Sequence, residues 1–554
     1  MPASHLRRLI LTSAAIVLSC PSHAQTTIHI PADQPTIQAG INAAANGDTV
    51  LVSPGTYFEN IDFKGKAITI TSSGGASVTT IDGGGTAPAA IFQTLETRAA
   101  TLSGFTIIHG GSLTAGADLS KVNGGIVIRH SRPSILNNII TQSYCQNIQT
   151  SYAGPLIQNN VISSSLNPEK CVVSQTGGIY LGGDYSDILT FPQSNITPTV
   201  IIGNTIENNT TGQLGDGGGD GGAGIATWSS TPIIVGNIFR NNITRNGSGG
   251  AINLVYFGDA LIANNIFIAN QAGCGGGAIG LHPGPAGEAT NPYSLAVIAN
   301  NTMVNNTNYL DGGGYSNCLL SSTLFDGASG TRVVNNIIVG DTTTPLFQCQ
   351  KQPFNIPDTE WYQPIFDHNL FFNKSGPALG ANCTDTTTLH GNIVADPQFR
   401  NAASSDFHLS ASSPAIDTGN NSVLAIIQNR YGYNLQTDFD GNPREQDATA
   451  QGHPIIDIGA YEVTGATGGS TRIVLKPSAY SGSAGARFTL TATLQNALGA
   501  PTGTAYFFVD GTALGSAPIQ SGSAILSNVT LSPGTHISTP PIPARVSSHQ
   551  PFPS

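Results

Sequence analysis

The sequence predicts an all-β fold: a right-handed parallel β-helix with an N-terminal helical cap, followed by a small β-sandwich. Three observations predict it. Two short phrases recur through the middle of the chain. The composition is rich in Gly and Asn, with 66 Gly in 554 residues and only 10% charged side chains. One segment alone reads as a convincing helix.

The first phrase is apolar-Asn-apolar. It occurs as Ile135-Leu136-Asn137-Asn138-Ile139 and Leu156-Ile157-Gln158-Asn159-Asn160-Val161, then recurs with anchors at Asn204, Asn237, Asn265, Asn301, Asn336 and Asn369. Successive anchors are 22 to 44 residues apart. The second phrase interleaves with it: Gly124-Gly125-Ile126, Gly177-Gly178-Ile179, Gly222-Ala223-Gly224-Ile225, Gly249-Gly250-Ala251-Ile252, Gly276-Gly277-Ala278-Ile279 and Gly313-Gly314-Tyr315. Each unit therefore holds two or three short strands divided by Gly and Asn corners. A unit this small cannot bury its apolar side alone. Stacked units bury it in continuous parallel sheets, about 4.8 Å per coil. Asn at a corner tolerates left-handed geometry, and stacked amides hydrogen-bond between coils. The Gly pairs read as corners needing positive φ, not as phosphate loops. Variable unit lengths place insertions in outward loops.

The helix is expected from Gln34-Pro35-Thr36-Ile37 through Ala45, with Pro35 near its start and Gly47 past its end. Its apolar side is Ile37, Ile41, Ala44 and Ala45, suited to closing the open end of a solenoid core. Thr49–Val52 and Ala67 to Ile70 follow as alternating strands.

Ahead of the cap, Arg7 and Arg8 precede an apolar run from Leu9 to Leu18, and Ser22-His23-Ala24 supplies small residues at −3 and −1. Residues 1–24 read as a cleaved secretory signal peptide, the run being too short to span a bilayer. A lipoprotein signal at Cys20 is the second reading. The net charge of −11 becomes −13 without the two arginines of this segment. That acidic, unclustered balance argues against nucleic acid and anionic lipid as partners. Six further cysteines (Cys145, Cys171, Cys274, Cys318, Cys349 and Cys383) are widely spaced with no Cys-x-x-Cys pair. A zinc site is not expected, while one to three disulfides are, Cys145 and Cys171 lying about one coil apart. The connectivity stays open.

Thr36-Ile37-Gln38-Ala39, Gly47-Asp48-Thr49-Val50-Leu51-Val52-Ser53-Pro54-Gly55-Thr56-Tyr57 and Glu59-Asn60-Ile61 closely resemble the opening of bacterial right-handed parallel β-helix repeat proteins of the pectin-lyase-like superfamily. The resemblance runs from about residue 28 to 400, and the β-helix domain is expected over 25–395. It implies fold more than activity, because that superfamily holds lyases, hydrolases, epimerases, tailspikes and non-catalytic surface proteins. Asp396-Pro397-Gln398-Phe399, Ser413-Pro414-Ala415-Ile416-Asp417, Asp438-Phe439-Asp440-Gly441-Asn442-Pro443-Arg444 and Asp457-Ile458-Gly459-Ala460-Tyr461-Glu462 resemble a choice-of-anchor Q segment over 396–464. Such a segment is expected to close the C-terminal end of the solenoid. After a linker at 465–470, period-two strands in 471–538 resemble part of a bacterial immunoglobulin-like repeat. Thr539-Pro540-Pro541-Ile542-Pro543 cannot continue it as a central strand, so residues 539–554 read as a disordered Pro-rich tail. A frameshift or truncated frame is the expectation, and sequencing downstream in the other frames tests it.

The phrases that mark polygalacturonase-like hydrolases and pectate lyases are absent: there is no Asn-Thr-Asp, Asp-Asp, Gly-His-Gly, Arg-Ile-Lys or Trp-Ile-Asp-His. No catalytic residue is assigned. Geometry gives candidates instead. Aligning the Gly-corner strands on Ile126, Ile179, Ile225, Ile252 and Ile279 points Ile128, Leu181, Thr227, Leu254 and Leu281 inward with them. Outward fall Val127, Tyr180, Ala226, Asn253 and Gly280, then Arg129, Gly182, Trp228, Val255 and His282, with His130, Asp184, Tyr256 and Asp259 just beyond. Tyr180, Trp228, Tyr256, Arg129, His282, Asp184 and Asp259 would suit a sugar chain, whose apolar faces stack on rings while its hydroxyls hydrogen-bond. Ordinary solvated strand surface is the alternative. Calcium candidates are Asp216 and Asp220, which could instead supply an acid/base pair or sit in a plain Gly loop, and Asp438, Asp440 and Asn442, whose alternative is a turn with salt-bridged Arg444. Two functions stay open: an exported, monomeric polysaccharide-binding protein without catalysis, or a polysaccharide lyase or glycosidase.

Overall fold

The computed structural model describes residues 25–112, 124–166, 177–183, 198–211, 221–228, 230–245, 247–255, 259–273, 275–282, 296–308, 321–326, 331–349, 364–380, 383–449, 454–464, 472–478, 487–495, 503–509 and 512–531. The expected signal peptide, the linker and the Pro-rich tail lie outside these residues. The chain is a right-handed parallel β-helix. The first sheet has twelve strands, from Thr27–Ile30 to Ile365–Asp367. The second has twelve, from Gly55–Phe58 to Ile393–Val394, and the third ten, from Ile61–Asp62 to Phe347–Cys349. Strands are two to eight residues long, and each pairs in parallel with its counterpart one coil away. Alternation then aims one residue in two at the axis. In the first sheet Ile70, Leu102, Ile135, Ile157, Ile201, Ile234, Ile262, Ile298 and Val333 are all fully buried in one continuous core. Each such side chain contributes roughly 1.5–3 kcal/mol.

The cap forms as α1 (Ile37–Ala43), shorter than expected. The Thr36 hydroxyl accepts from Ala39 N at 3.1 Å. Glu59, from the next coil, accepts from the free N–H groups of Ile37 and Gln38, both at 2.9 Å. At the other end Lys66 Nζ donates to the carbonyls of Ile41, Asn42 and Ala44. Ile37 and Ile41 seal the core.

The Asn anchors form a ladder. Asn204 Oδ1 accepts from the backbone N (2.9 Å) and Nδ2 (3.0 Å) of Asn160, while its own Nδ2 donates to Asn237 Oδ1 and the Ile157 carbonyl, both at 2.9 Å. The pattern runs unbroken from Asn138 to Asn392. Left-handed geometry falls on the residue before each anchor, as at Asn159, Gly203 and Asn264. A second ladder, Asn209–Asn242–Asn270–Asn306, runs beside it. At the Gly pairs the two members differ. Gly222 and Gly249 have φ of +88° and +70°. Gly178 and Gly250 do not; a Cβ there would collide with the carbonyl oxygens of Gly224 and Gly277 in the next coil.

Residues 396–464 correct the expectation of an end cap. They run back along the outside of the solenoid as a belt. Within the belt, α2 (Ser422–Tyr431), a helix not anticipated from sequence, seats Val423 and Ile427 on outward residues of the first sheet: Ile233, Val235, Leu261, Ala263, Val297, Ala299 and Val334. Phe407, Leu409, Ala415, Ile416, Ile458 and Ala460 seat on outward residues of the second: Ile266, Val304, Ile337, Val339 and Leu370. The last coil meanwhile leaves Ile365, Leu389 and Val394 at 43%, 54% and 58% exposure. Cys349 and Cys383 are joined by a disulfide, and Cys145 is also disulfide-bonded. The C-terminal unit pairs Arg472–Pro477, Arg487–Gln495 and Ser523–Thr530 in one antiparallel sheet and Gly503–Val509 with Thr512–Ile519 in another, around its own core of Leu490, Phe507, Ile519 and Val529.

Candidate functional site

The third sheet realises the expected register. Ile126, Ile148, Ile179, Ile225, Ile252 and Ile279 pair in succession and all point inward. The outward columns are therefore Val127, Gln149, Tyr180, Ala226, Asn253, Gly280 and Arg129, Ser151, Gly182, Trp228, Val255, His282. The coil of Ile148–Ser151 was missing from the sequence alignment, because Asn147 replaces the Gly pair at its entrance.

The outward face is not uniformly open. Val127, Ala226 and Asn253 are buried, and both amide atoms of Asn253 lack a hydrogen-bond partner. A Cβ on Gly280 would lie 2.7 Å from Ser248 Cβ and 2.9 Å from Asn253 Oδ1, so the preceding Gly corner overhangs this row. Accessible surface begins where the strands end. Arg129, Tyr180 and Trp228 are half-buried, each with interactions of its own. His130 and Tyr152, the residues that follow Arg129 and Ser151, both take positive φ and stack one coil apart, centroids 5.1 Å and planes 5° apart. The left-handed turn swings both rings outward from the corner that leads into the first sheet. Tyr152 is the ring that sequence reasoning missed. Its signal was the Asn147-Ile148 corner, which lacks glycine.

Asp259 has a different role from the one expected. It pairs with Arg430 (3.0 Å) and accepts a hydrogen bond from the Tyr431 hydroxyl (2.9 Å), holding α2 to the solenoid. Tyr256, Asp184, Asp216 and Asp220 lie outside the described residues, and His282 is described only as the last residue of Gly275–His282.

The remaining calcium candidates sit in the belt. Asp438 accepts from Asp440 N (3.0 Å), Asn442 N (2.7 Å), Asn442 Nδ2 (3.0 Å) and Glu462 N (2.9 Å), so both its oxygens are engaged in turns. Asp440 turns to His408 Nε2 at 2.7 Å, and Asp406 meets His408 Nδ1 at 2.5 Å. Among the described residues no group of three or more His, Cys, Asp or Glu is placed to hold a metal ion. Arg444 is fully buried and donates to Glu462 (2.8 Å), to the Gly459 and Ala460 carbonyls, and to Asn264 of the solenoid corner. Neighbouring Asp457 is buried, and desolvation pushes its carboxyl up to about 7 against two backbone N–H bonds.

No helix among the described residues is long and apolar enough to cross a membrane. No family model matches the chain, and no curated protein does. Among solved structures it is similar to the alginate lyase AlyGC of family PL6, at 14% identity over 65% of this chain and 52% of that one, TM-score 0.33. It is also similar to XylC in complex with xylose (12% identity, 80% and 99% covered, TM-score 0.37) and to PfbA, a surface adhesin of Streptococcus pneumoniae (17%, 62% and 76%, 0.28). The chain thus spans about half the length of the alginate lyase. Likenesses this distant transfer neither activity nor family. The β-helix stands on the strand pairing itself.

Proposed function

We propose that this chain is an exported β-helix protein that binds polysaccharide, without cleaving it, along the corner where the third sheet leads into the first. One observation carries the reading: His130, Tyr152 and Trp228 occur on nearby coils at or just past the ends of in-register strands, with His130 and Tyr152 stacked outward and Tyr180 in the neighbouring outward column two residues upstream. Rings at coil spacing offer apolar faces to successive sugars, while amides and Arg129 offer hydrogen bonds. The choice-of-anchor Q resemblance of the belt and the immunoglobulin-like resemblance of the C-terminal unit support placement at the cell surface. Calcium at Asp216 and Asp220 belongs to this proposal as a second component. The test is retention of the purified protein on a panel of acidic and neutral polysaccharides, with and without calcium. Trp228→Ala and Tyr152→Ala should each weaken retention roughly 2–10-fold, the worth of one aromatic contact. Unchanged retention in both would remove this corner from consideration. Release of unsaturated or newly reducing ends would overturn the non-catalytic reading.

A further inference from the structure

Three arginines of this acidic chain meet a carboxylate. Arg240 pairs with Glu207, Arg430 with Asp259 and Arg444 with Glu462. Arg98 and Arg132 do not. Both lie on the corner between the third and first sheets, on adjacent coils. Arg98 leads into Thr101–Ser103 and Arg132 into Ser134–Leu136, strands paired Thr101 to Ser134. The two segments are tied to each other, Ser134 Oγ donating to the Arg98 carbonyl at 2.8 Å and Arg132 N to the Glu96 carbonyl at 2.7 Å. Arg98 is half-buried, and of its five N–H donors one makes a long bond, 3.4 Å, to the Pro198 carbonyl. Arg132 is exposed.

The nearest acid along the chain, Glu96, is buried and engaged elsewhere. It accepts from Gly65 N (2.8 Å), Thr94 N (2.9 Å) and Ser131 Oγ (2.7 Å). Two arginines therefore sit on adjacent coils of one corner with no carboxylate partner among the described residues. Burial, and then the Arg132 charge, push the Arg98 pKa down, so its protonated form gains from an added anion. With 32 acidic against 21 basic residues, a carboxylate partner would have been easy to supply.

We propose that Arg98 and Arg132 form an oxyanion subsite at one end of the aromatic corner, two guanidinium forks for one sulfate, phosphate or carboxylate group carried by the glycan. The fork geometry suits such groups, and Arg holds its charge at any physiological pH. The subsite rests on the polysaccharide-binding reading and narrows it, because Arg129 and His130 share the coil of Arg132 and Tyr152 lies on the same corner one coil along.

The test is an array of neutral, uronate-bearing, sulfated and phosphorylated glycans, probed with wild type, R98Q/R132Q, R98K/R132K and W228A, each first checked for an unchanged unfolding midpoint. Acidic spots should be favoured, and R98Q/R132Q should lose them by about tenfold or more while leaving neutral spots unchanged. R98K/R132K should recover part of the loss. R132Q alone, at an exposed position, should show the same selective loss at smaller size should the double variant fold poorly. Equal binding of neutral and acidic glycans, or no selective loss in either glutamine variant, would overturn the subsite and leave the polysaccharide reading standing. No binding to any spot would overturn both. Which acidic spots respond separates sulfate, phosphate and carboxylate.

Discussion

The first and the later coils of this solenoid share one core and differ outside it. In the early coils most outward residues of the first sheet are Thr or Ser (Thr49, Thr69, Thr71, Thr101 and Ser103, beside the apolar Leu51), all partly exposed. In the later coils the same positions are Ile233, Val235, Leu261, Ala263, Val297 and Ala299, buried beneath the belt. The early corners carry Ser53, Ser73 and Phe105 where the later ones carry the Asn ladder, and Phe105 N donates to Asn138 Oδ1 at its foot. The inward residues dictate the coil, and the outward ones state what covers it. A parallel strand that alternates Thr with Ile faces water; one apolar at every position is buried on both faces.

The largest effect should come from the belt. Arg444→Ala leaves Glu462 buried without its cation and frees Asn264, and should cost about 3–5 kcal/mol. Thr69→Val, on the bare coils, should stay within about 0.5 kcal/mol. Urea unfolding midpoints of the two variants check this. Similar midpoints would mean that the belt is an accessory and not part of the solenoid's stability.

The ladder comes next. Asn237→Ala removes the acceptor of Asn204 N and Nδ2 and the donors to Asn265 Oδ1 and the Ile201 carbonyl. Stranding buried amides should cost about 2–3 kcal/mol. Asn392→Ala, at the last rung, should cost less. Equal losses at the two positions would show that the ladder does not act as a connected array.

Much of this was legible in the sequence. Ile126, Ile179, Ile225, Ile252 and Ile279 fixed the register of the third sheet, because a one-residue slip would have turned every one of them outward. The belt's place was not read, although its signal was present. Val200-Ile201-Ile202, Ile233-Ile234-Val235 and Val297-Ile298-Ala299 are apolar on both faces, which a bare solenoid strand has no reason to be. The second ladder was also visible as Asn209, Asn242, Asn270 and Asn306, each five residues past an anchor. The aromatic corner was half legible. Parity placed Tyr180 and Trp228, but Tyr152 depends on a positive-φ turn after a coil without glycine, and pattern alone does not report that. Arg98 and Arg132 were missed because their placement on adjacent coils depends on the pairing of two strands 33 residues apart.

The smallest effect separates the two regions by pH. His408 lies between Asp406 and Asp440 and against the Tyr461 ring, 4.1 Å between centroids. Burial lowers its pKa, but hydrogen bonds and charge from Asp440 and Asp406 outweigh this and leave it above the ordinary histidine value. Asp406 is correspondingly held below the ordinary aspartate value, chiefly by its hydrogen bond to His408. A raised histidine contributes stability that is complete below its unfolded pKa and is lost as pH climbs through the folded one. A lowered aspartate contributes above its unfolded pKa and loses it as pH falls. The clamp should therefore act fully between about pH 4 and 6.5 and fade above. Its groups are partly exposed, so solvent screening holds its worth to on the order of 0.5 kcal/mol. Hydrogen exchange of residues 396–464 should quicken modestly between pH 6 and 8, after correction for the intrinsic rate, while that of 27–108 should not. His408→Asn should abolish the difference. A belt that stays equally protected at both pH values would mean that its grip on the solenoid rests on α2 and Arg444, and that the histidine clamp orders only its own turn.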